Sequence, residues 1–343
     1  MACLPKAMVA TPPGTWASPE HACAEGDSEM EDRRQVNSRD VLSSPQSFPN
    51  SRAAAQIDLL VGLDHHIDTL TRDLTLIFDP ELIENWSQDT YGKQLPIVQW
   101  VKDAVPLIIF QGDVGTGKTA LAEVIGHRVA ERGGFGVHLV KMNTRVRGTG
   151  YVGEMGTLIA TSFQEVKKLW QAQGEPVLFL IDEADSVLTT REATAHHHED
   201  KSGVNTILQH LDEFRTDGAQ VAVIAITNRG AILDPAIRRR ATSVLTFTRP
   251  DEKQCASLLK RLFGGALAEK EVAMLSSLAS GPDSGKRQLA FTYSDLTLRF
   301  AIPAARDAAW SGEKLDANSL KHRLIELTPT PSMSDLSNPS GHS

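Results

Sequence analysis

The segment that most constrains the fold of this chain runs from Gln111 to Ala120 and reads Q-G-D-V-G-T-G-K-T-A. It contains the spacing G-x-x-x-x-G-K-T, which is typical of a loop that cradles phosphate groups. The apolar run L-I-I-F precedes it and apolar residues at helical spacing follow it, so the segment is predicted to join a buried strand to a helix. A chance glycine turn is the alternative, and this strand–turn–helix setting argues against it.

Three features that bind anions come together in the predicted loop. The glycines free backbone N–H groups, the helix N-terminus adds partial positive charge, and Lys118 adds a full charge. The hydroxyl of Thr119 is placed to ligate the Mg²⁺ that accompanies a nucleoside triphosphate. The residues of the loop that are predicted to hold the nucleotide are Gly112, Val114, Gly115, Thr116, Gly117, Lys118 and Thr119.

Strand and helix patterns alternate after the loop. Apolar runs near 137–142, 176–181, 221–226 and 244–248 predict strands, with helices over about 157–170 and 203–214. This alternation predicts an α/β subdomain over residues 54–249, in which a parallel five-stranded sheet lies between helices. A helical pattern over residues 250–327 predicts a small all-helical lid. Residues 1–53 and 328–343 lack sustained periodicity and are predicted to be disordered tails.

Composition narrows the classes of function. The 343 residues carry a formal net charge of −8, and the pI is about 5.8, which argues against a broadly basic surface for nucleic acid. No apolar run reaches the ~18 residues of a membrane-spanning helix, and the N-terminus is a poor secretory signal. The three cysteines match neither a disulfide framework nor a metal-ligand pattern, so a cytoplasmic location is predicted.

An acidic pair, Asp182 and Glu183, follows the apolar strand near residues 176–181. Because ligands bind at the carboxyl ends of the strands in open parallel sheets, this pair is expected beside the phosphate loop. Asp182 is placed to hold Mg²⁺, and Glu183 is placed to polarise an attacking water. An acidic pair after a strand is by itself more often a solvated strand end. The phosphate loop in the same sheet favours the catalytic interpretation.

Two further polar features follow the next strand. Asn228 is placed to lie between the γ-phosphate and the attacking water, and an Asx turn is the structural alternative. Three arginines, Arg238, Arg239 and Arg240, stand together in a chain of negative net charge. They are either a solvated helix end or an arginine finger, which contributes ~10³–10⁵ in rate at a transferring phosphoryl group. A finger supplied in trans would make oligomerisation a catalytic requirement.

Taken together, these segments resemble the AAA+ ATPases. The matching features are GDVGTGKT (Walker A), LFLIDEAD (Walker B), ITN (sensor 1), LDPAIRRR (arginine-finger region) and the helical unit after them. The resemblance covers roughly residues 54–327. It implies a homo-oligomeric ring, usually a hexamer, with ATP and Mg²⁺ bound between subunits. It also implies that Arg240, or next Arg239, is the finger, and that Val61 and Gly62 pack against adenine.

A glycine-rich segment over residues 148–156 contains Tyr151 and Val152 among its few bulky side chains. It resembles the pore loop of AAA+ machines that remodel proteins, which implies that Tyr151 and Val152 thread a polypeptide. A second phosphate loop or an ordinary core tyrosine is the alternative. The histidine triplet at 196–198 is better explained by a polar loop than by a metal site, because three consecutive residues do not readily face one ion.

Within the AAA+ proteins, the block over residues 134–214 is most similar to the pachytene-checkpoint-type remodellers. The resemblance implies that the partner is a HORMA-domain protein, opened or disassembled by pulling, in a compact bacterial form associated with antiphage systems of the CBASS type. Activation of another enzyme and a DNA-associated ATP switch are the alternatives. One departure concerns the sensor-2 arginine of the lid: Leu296 stands where it is expected, with Arg299 one helical turn further on.

Overall fold

A computed structural model gives the structure of the chain and describes residues 41–143, 154–188, 200–281 and 289–332. Six strands form one sheet: β1 (Gln46–Phe48), β2 (Leu107–Gly112), β3 (Val137–Lys141), β4 (Val177–Ile181), β5 (Val221–Thr227) and β6 (Ser243–Phe247). Their spatial order is β1-β3-β4-β5-β2-β6. The five strands from β2 through β6 are all parallel to one another, as the alternating strand and helix patterns predicted.

The helices of the α/β subdomain cover both faces of this sheet. They are α1 (Ser51–Leu59), α2 (Asp64–Phe78), α3 (Glu81–Tyr91), α4 (Pro96–Lys102), α5 (Lys118–Ala122), α6 (Ile125–Gly133), α7 (Glu154–Gln173), α8 (Asp185–Leu188), α9 (Asp200–Thr216) and α10 (Pro235–Arg240). Alternate residues along each central strand enter opposite cores, so that Ile109 packs on the side of α7 and α9, and Ile108 on the side of α1, α2 and α6. An apolar run buried on both faces is what a parallel sheet requires.

The sheet has one strand that was not predicted. β1 pairs antiparallel with β3, with Ser47 opposite His138, and Phe48 is buried in the core beside α6. The N-terminal tail predicted over residues 1–53 therefore contains an ordered segment, because Gln46–Phe48 pairs with β3. A strand of three residues is too short to show a period of two, which is why the sequence pattern did not reveal it.

The lid consists of α11 (Glu252–Phe263), α12 (Glu269–Ser280), a π-helical turn (Asp295–Ala301), α13 (Ile302–Ser311) and α14 (Ala317–Glu326). Their apolar faces form a separate core around Leu259, Leu275 and Phe300. The predicted all-helical character is confirmed. The predicted start of a disordered tail at residue 328 is wrong, since Thr330 and Ser332 make defined side-chain hydrogen bonds. No helix within the described ranges is long and apolar enough to cross a membrane.

The edge strand β1 supports a prediction about stability. Phe48 is 3% exposed, so Phe48→Ala removes a buried aromatic ring and is expected to cost about 3–5 kcal/mol of unfolding free energy. The measurement is the denaturant midpoint of the purified chain, with the exposed Ser44→Ala as control. Equal midpoints for the two variants would contradict the placement of β1 in the core.

Candidate nucleotide site

The phosphate loop lies where β2 ends and α5 begins. Gly112 has φ 143°, and a Cβ built on it would lie 2.1 Å from the carbonyl oxygen of Phe247 in the neighbouring strand β6. Because no side chain fits that space, only glycine lets the chain leave β2 this close to β6. The hydroxyl of Thr116 closes the loop by donating to the backbone oxygen of Asp113 at 2.8 Å.

Lys118 is the buried cation of the loop, with 5% of its surface exposed. Its Nζ donates to the backbone oxygens of Gly112 at 2.8 Å and of Asp113 at 2.5 Å. Burial lowers the pKa of Lys118 to about 8, while the carboxylates of Asp113 and Asp182 oppose that shift. The ammonium group is thus held among oxygen acceptors and has little water around it, which strengthens its attraction for a phosphate.

Thr119 and Asp182 meet at the edge of the sheet. The Thr119 hydroxyl donates to Asp182 Oδ2 at 3.0 Å, although 63 residues separate the two in sequence. A hydroxyl and one carboxylate are hard oxygen donors, and Mg²⁺ is commonly held by such a pair together with phosphate oxygens and water. No cluster of three or more His, Cys, Asp or Glu side chains suited to a metal occurs in the described residues. The donor set therefore fits a Mg²⁺ that arrives with a nucleotide.

Glu183 has a strained backbone. Among the described residues it is the one non-glycine residue with positive φ, at 50°. Its N–H donates to Asp182 Oδ1 at 2.8 Å, which ties the turn to the carboxylate beside Thr119. Such conformations cost about 1–3 kcal/mol and concentrate at functional sites. Sequence reasoning found the residue but had no signal for the strain.

The end of β5 places Asn228 at the same cleft. The hydroxyl of Thr227 accepts from the N–H of Arg229 at 2.9 Å, so the turn after the strand is closed by Thr227. The side chain of Thr227 also donates to Asp185 at 3.2 Å. The structural role considered for Asn228 therefore falls to Thr227, while Asn228 lines the cleft.

The cleft has a volume of about 440 Å³. One end is formed by the phosphate loop with Asp182 and Glu183. The other end is apolar and contains Val61 with Leu60, Leu63, Ile226 and Leu258. Gly62 adjoins this end of the cleft. A Cβ built on Gly62 would lie 2.6 Å from the Tyr293 hydroxyl, so the absence of a side chain leaves room for the lid. A polar end for phosphates and an apolar end for a base suit a nucleotide.

Residues of the lid complete the cleft. Tyr293, Ser294, Thr297 and Leu298 line it, and the N–H of Ser294 donates to the backbone oxygen of Gly115 at 3.1 Å. The π-helical turn that carries Leu298 belongs to a rare class often found at functional sites. Sequence reasoning missed these four residues because it searched the segment for an arginine.

The two positions considered for a lid arginine lie elsewhere. Leu296 is fully buried in the lid core. Arg299 forms an ion pair with Asp295 at 2.7 Å and does not line the cleft. Neither position therefore places a guanidinium group at this cleft.

The three arginines of α10 also lie outside the cleft of their own chain. Arg238 donates to Gln111 Oε1 at 3.1 Å, and Arg240 donates to Asp212 Oδ2 at 2.8 Å. Arg239 is exposed, with no hydrogen bond or ion pair to any described residue. Lys118 is the one cationic side chain among the described residues that line the cleft. Within the described ranges, no arginine of the same chain lines the cleft.

Two predicted features lie outside the described residues. They are the candidate threading residues Tyr151 and Val152, and the histidine triplet at 196–198.

A larger groove of about 1030 Å³ lies along α1, α2 and α6, lined by charges of both signs such as Asp58, Asp68 and Arg128. This groove contains no part of the phosphate loop. The smaller cleft is therefore the candidate nucleotide site, because its lining residues suit a nucleotide although its volume is lower.

Comparison with known proteins agrees with this geometry. A sequence model of the ATPase family associated with various cellular activities (AAA) matches residues 108–249. CD-NTase-associated protein 6 of Escherichia coli (strain KTE188) is 38% identical over 299 residues, which cover 86% of this chain and 98% of that protein. The match thus extends through both the α/β subdomain and the lid.

Solved structures show the same relationship. A chain in the structure of the E. coli MS115-1 HORMA:CdnC:Trip13 complex is similar with a TM-score of 0.80 and 34% identity, over 87% of this chain and 99% of that one. The structure of Rhizobiales Trip13 gives a TM-score of 0.66 and 27% identity, over 84% and 99%. The chain therefore belongs to the AAA ATPase family, in the group that includes CD-NTase-associated protein 6.

Proposed function

We propose that the chain hydrolyses ATP to remodel a HORMA-domain protein in a bacterial antiphage signalling system. The observation that carries the proposal is the match along nearly its whole length to a chain from a HORMA:CdnC:Trip13 complex. The cleft supports it, because the phosphate loop, Thr119, Asp182 and Glu183 form one group. A cytoplasmic location is part of the proposal and rests on the cysteine usage.

The polar side chains that line the phosphate end of the cleft have separate roles in the proposed hydrolysis. Lys118 binds phosphate oxygens, and Thr119 with Asp182 holds Mg²⁺, which would neutralise phosphate charge. Glu183 takes up the proton of the attacking water as a general base, and Asn228 orients that water beside it. The apolar end at Val61 and Tyr293 receives the base. The lid is joined to the phosphate loop by the hydrogen bond from the Ser294 N–H to the Gly115 oxygen.

A homo-oligomeric ring, proposed as a hexamer, completes the site. The described residues that line the cleft include one ammonium and two carboxylates, so they offer little positive charge to a triphosphate. Arg240 of a neighbouring subunit, or next Arg239, is proposed to supply it. Trp100 on the α/β subdomain is 77% exposed and Trp310 on the lid is 94% exposed. Both side chains are proposed to be covered when copies of the chain associate.

The proposed general base is tested by Glu183→Gln. The amide keeps the shape of the side chain but accepts a proton poorly, so kcat is expected to fall about 10²–10⁴-fold while ATP still binds. Phosphate release and the binding of a fluorescent ATP analogue are the two measurements. Glu313→Gln, which changes an exposed carboxylate of the lid, is the control. Hydrolysis at the wild-type rate in Glu183→Gln would place the base elsewhere.

The proposed contribution in trans is tested by Arg240→Ala. ATP affinity is expected to change little, whereas kcat falls about 10³-fold or more because transition-state charge loses its partner. Mixing this variant with Lys118→Ala creates sites in which an intact Lys118 faces an intact Arg240, so activity should reappear. Arg239→Ala is assayed in parallel. If mixing restores nothing at any ratio, the arginine does not act between subunits.

The proposed threading role is tested by Tyr151→Ala. Hydrolysis of ATP should persist, whereas conversion of the HORMA-domain partner should be lost, because the alanine cannot grip a polypeptide. Tyr151→Phe keeps the aromatic ring and is expected to retain conversion. Conversion is measured on a sizing column, as the release of the HORMA-domain protein from its complex. Wild-type conversion by Tyr151→Ala would exclude this mechanism.

A further inference from the structure

Asp113 in the phosphate loop is held from outside the loop. Its side chain accepts two hydrogen bonds, one from Arg249 Nε to Oδ2 and one from the Ser332 hydroxyl to Oδ1, each at 2.9 Å. Its backbone oxygen accepts from Lys118 Nζ at 2.5 Å. Asp113 is therefore bound directly to Ser332 of the C-terminal segment on one side and to the phosphate-binding Lys118 on the other.

Arg249 lies where β6 passes into the lid, and it contacts three parts of the chain. Its Nε binds Asp113, its Nη1 donates to the oxygen of Ala290 at 2.5 Å, and its Nη2 donates to the oxygen of Thr330 at 2.8 Å. The guanidinium group is 10% exposed. A rigid fork of donors at a nearly buried site fixes its acceptors relative to one another.

The residues 328–332, termed the C-terminal strap, also bind the lid. Asp295 accepts from the Thr330 hydroxyl at 2.7 Å, from the Thr330 N–H at 3.0 Å and from Arg299 at 2.7 Å. Burial alone would raise the pKa of Asp295, but the hydrogen bonds from Thr330, Thr292 and Arg299 lower it below its usual value. This carboxylate, which has no exposed surface, is thus ionised and depends on the strap for part of its compensation.

We propose that the C-terminal strap positions the phosphate loop and the lid for nucleotide binding, with Thr330 and Ser332 as positioning residues. The inference rests on nucleotide binding in the cleft described above. The strap joins Asp295 of the lid to Asp113 of the loop, and Asp113 in turn holds Lys118. The two walls of the cleft also meet through the hydrogen bond from Ser294 to Gly115. Release of the strap removes the support beside that bond and weakens the order of the two walls, so nucleotide binding must then restore their order at a cost in affinity.

The test is the affinity for ADP of Thr330→Val, which removes one hydroxyl at nearly constant shape. We expect binding about tenfold weaker, the effect of one hydrogen bond to a buried charge. Thr330→Ser restores the hydroxyl and should bind normally. Thr328→Val makes the same change at an exposed position of the strap and is the matched control. Ser332→Ala, which removes the hydroxyl that donates to Asp113 Oδ1, should weaken binding in the same direction.

A second measurement needs no substitution. If the strap stabilises the nucleotide-bound form, the nucleotide must stabilise the strap by the same free energy. Hydrogen exchange of the Thr330 amide, which donates to Asp295, should therefore slow about tenfold when ADP is saturating. A merely structural strap would leave that exchange unchanged.

The outcomes separate this inference from the proposed function. ADP binding requires neither hydrolysis nor a protein substrate, so the strap can be judged even if remodelling is not observed. Wild-type ADP affinity in Thr330→Val, together with a lowered melting temperature, would overturn the inference and leave only a role in folding. Exchange at Thr330 that is indifferent to ADP would overturn it as well.

Discussion

The buried ammonium group of Lys118 is the constraint on which the rest of the site depends. A cation taken out of water is costly unless oxygen atoms replace its hydration. Here the replacements are the carbonyl oxygens of Gly112 and Asp113, which point inward only if the loop wraps around the side chain. That wrapping in turn demands a glycine at 112, where β6 leaves no room for a Cβ. One charge thus dictates the course of the loop and its packing against the sheet.

The order of the strands determines which residues reach this charge. β5 lies between β2 and β4, so the carboxyl ends of these strands open on the same edge as the phosphate loop. Asp182 comes from the end of β4, and Asn228 comes directly after β5. These two residues lie close to Thr119 because the carboxyl ends of parallel strands share one edge of the sheet, which brings together residues that are distant in sequence. The site could therefore be anticipated once the strands were recognised.

The sequence predicted what local patterns and motif spacing encode, and little of what distant contacts decide. The five parallel strands, the helical lid and the grouping of Lys118 with Asp182 follow from apolar runs and known spacings. Strand β1 exists because β3 offers an edge to a three-residue segment, which has no period of its own. The strain at Glu183 and the bonds of Thr330 depend on partners far away in the chain. The sequence around Leu296 likewise carries no signal that Tyr293 lines the cleft.

Charge is the physical argument for the proposal that a second subunit contributes to the site. The described cleft offers a triphosphate one ammonium, and it adds two carboxylates of its own. Mg²⁺ offsets part of the negative charge, but the charge that develops on a transferring phosphoryl group still calls for another cation. Arg238 and Arg240 are bound to Gln111 and Asp212 within the same chain, outside this cleft. The proposed arginine finger would supply such a cation from another copy of the chain. The electrostatics of the cleft thus favour assembly as part of the chemistry.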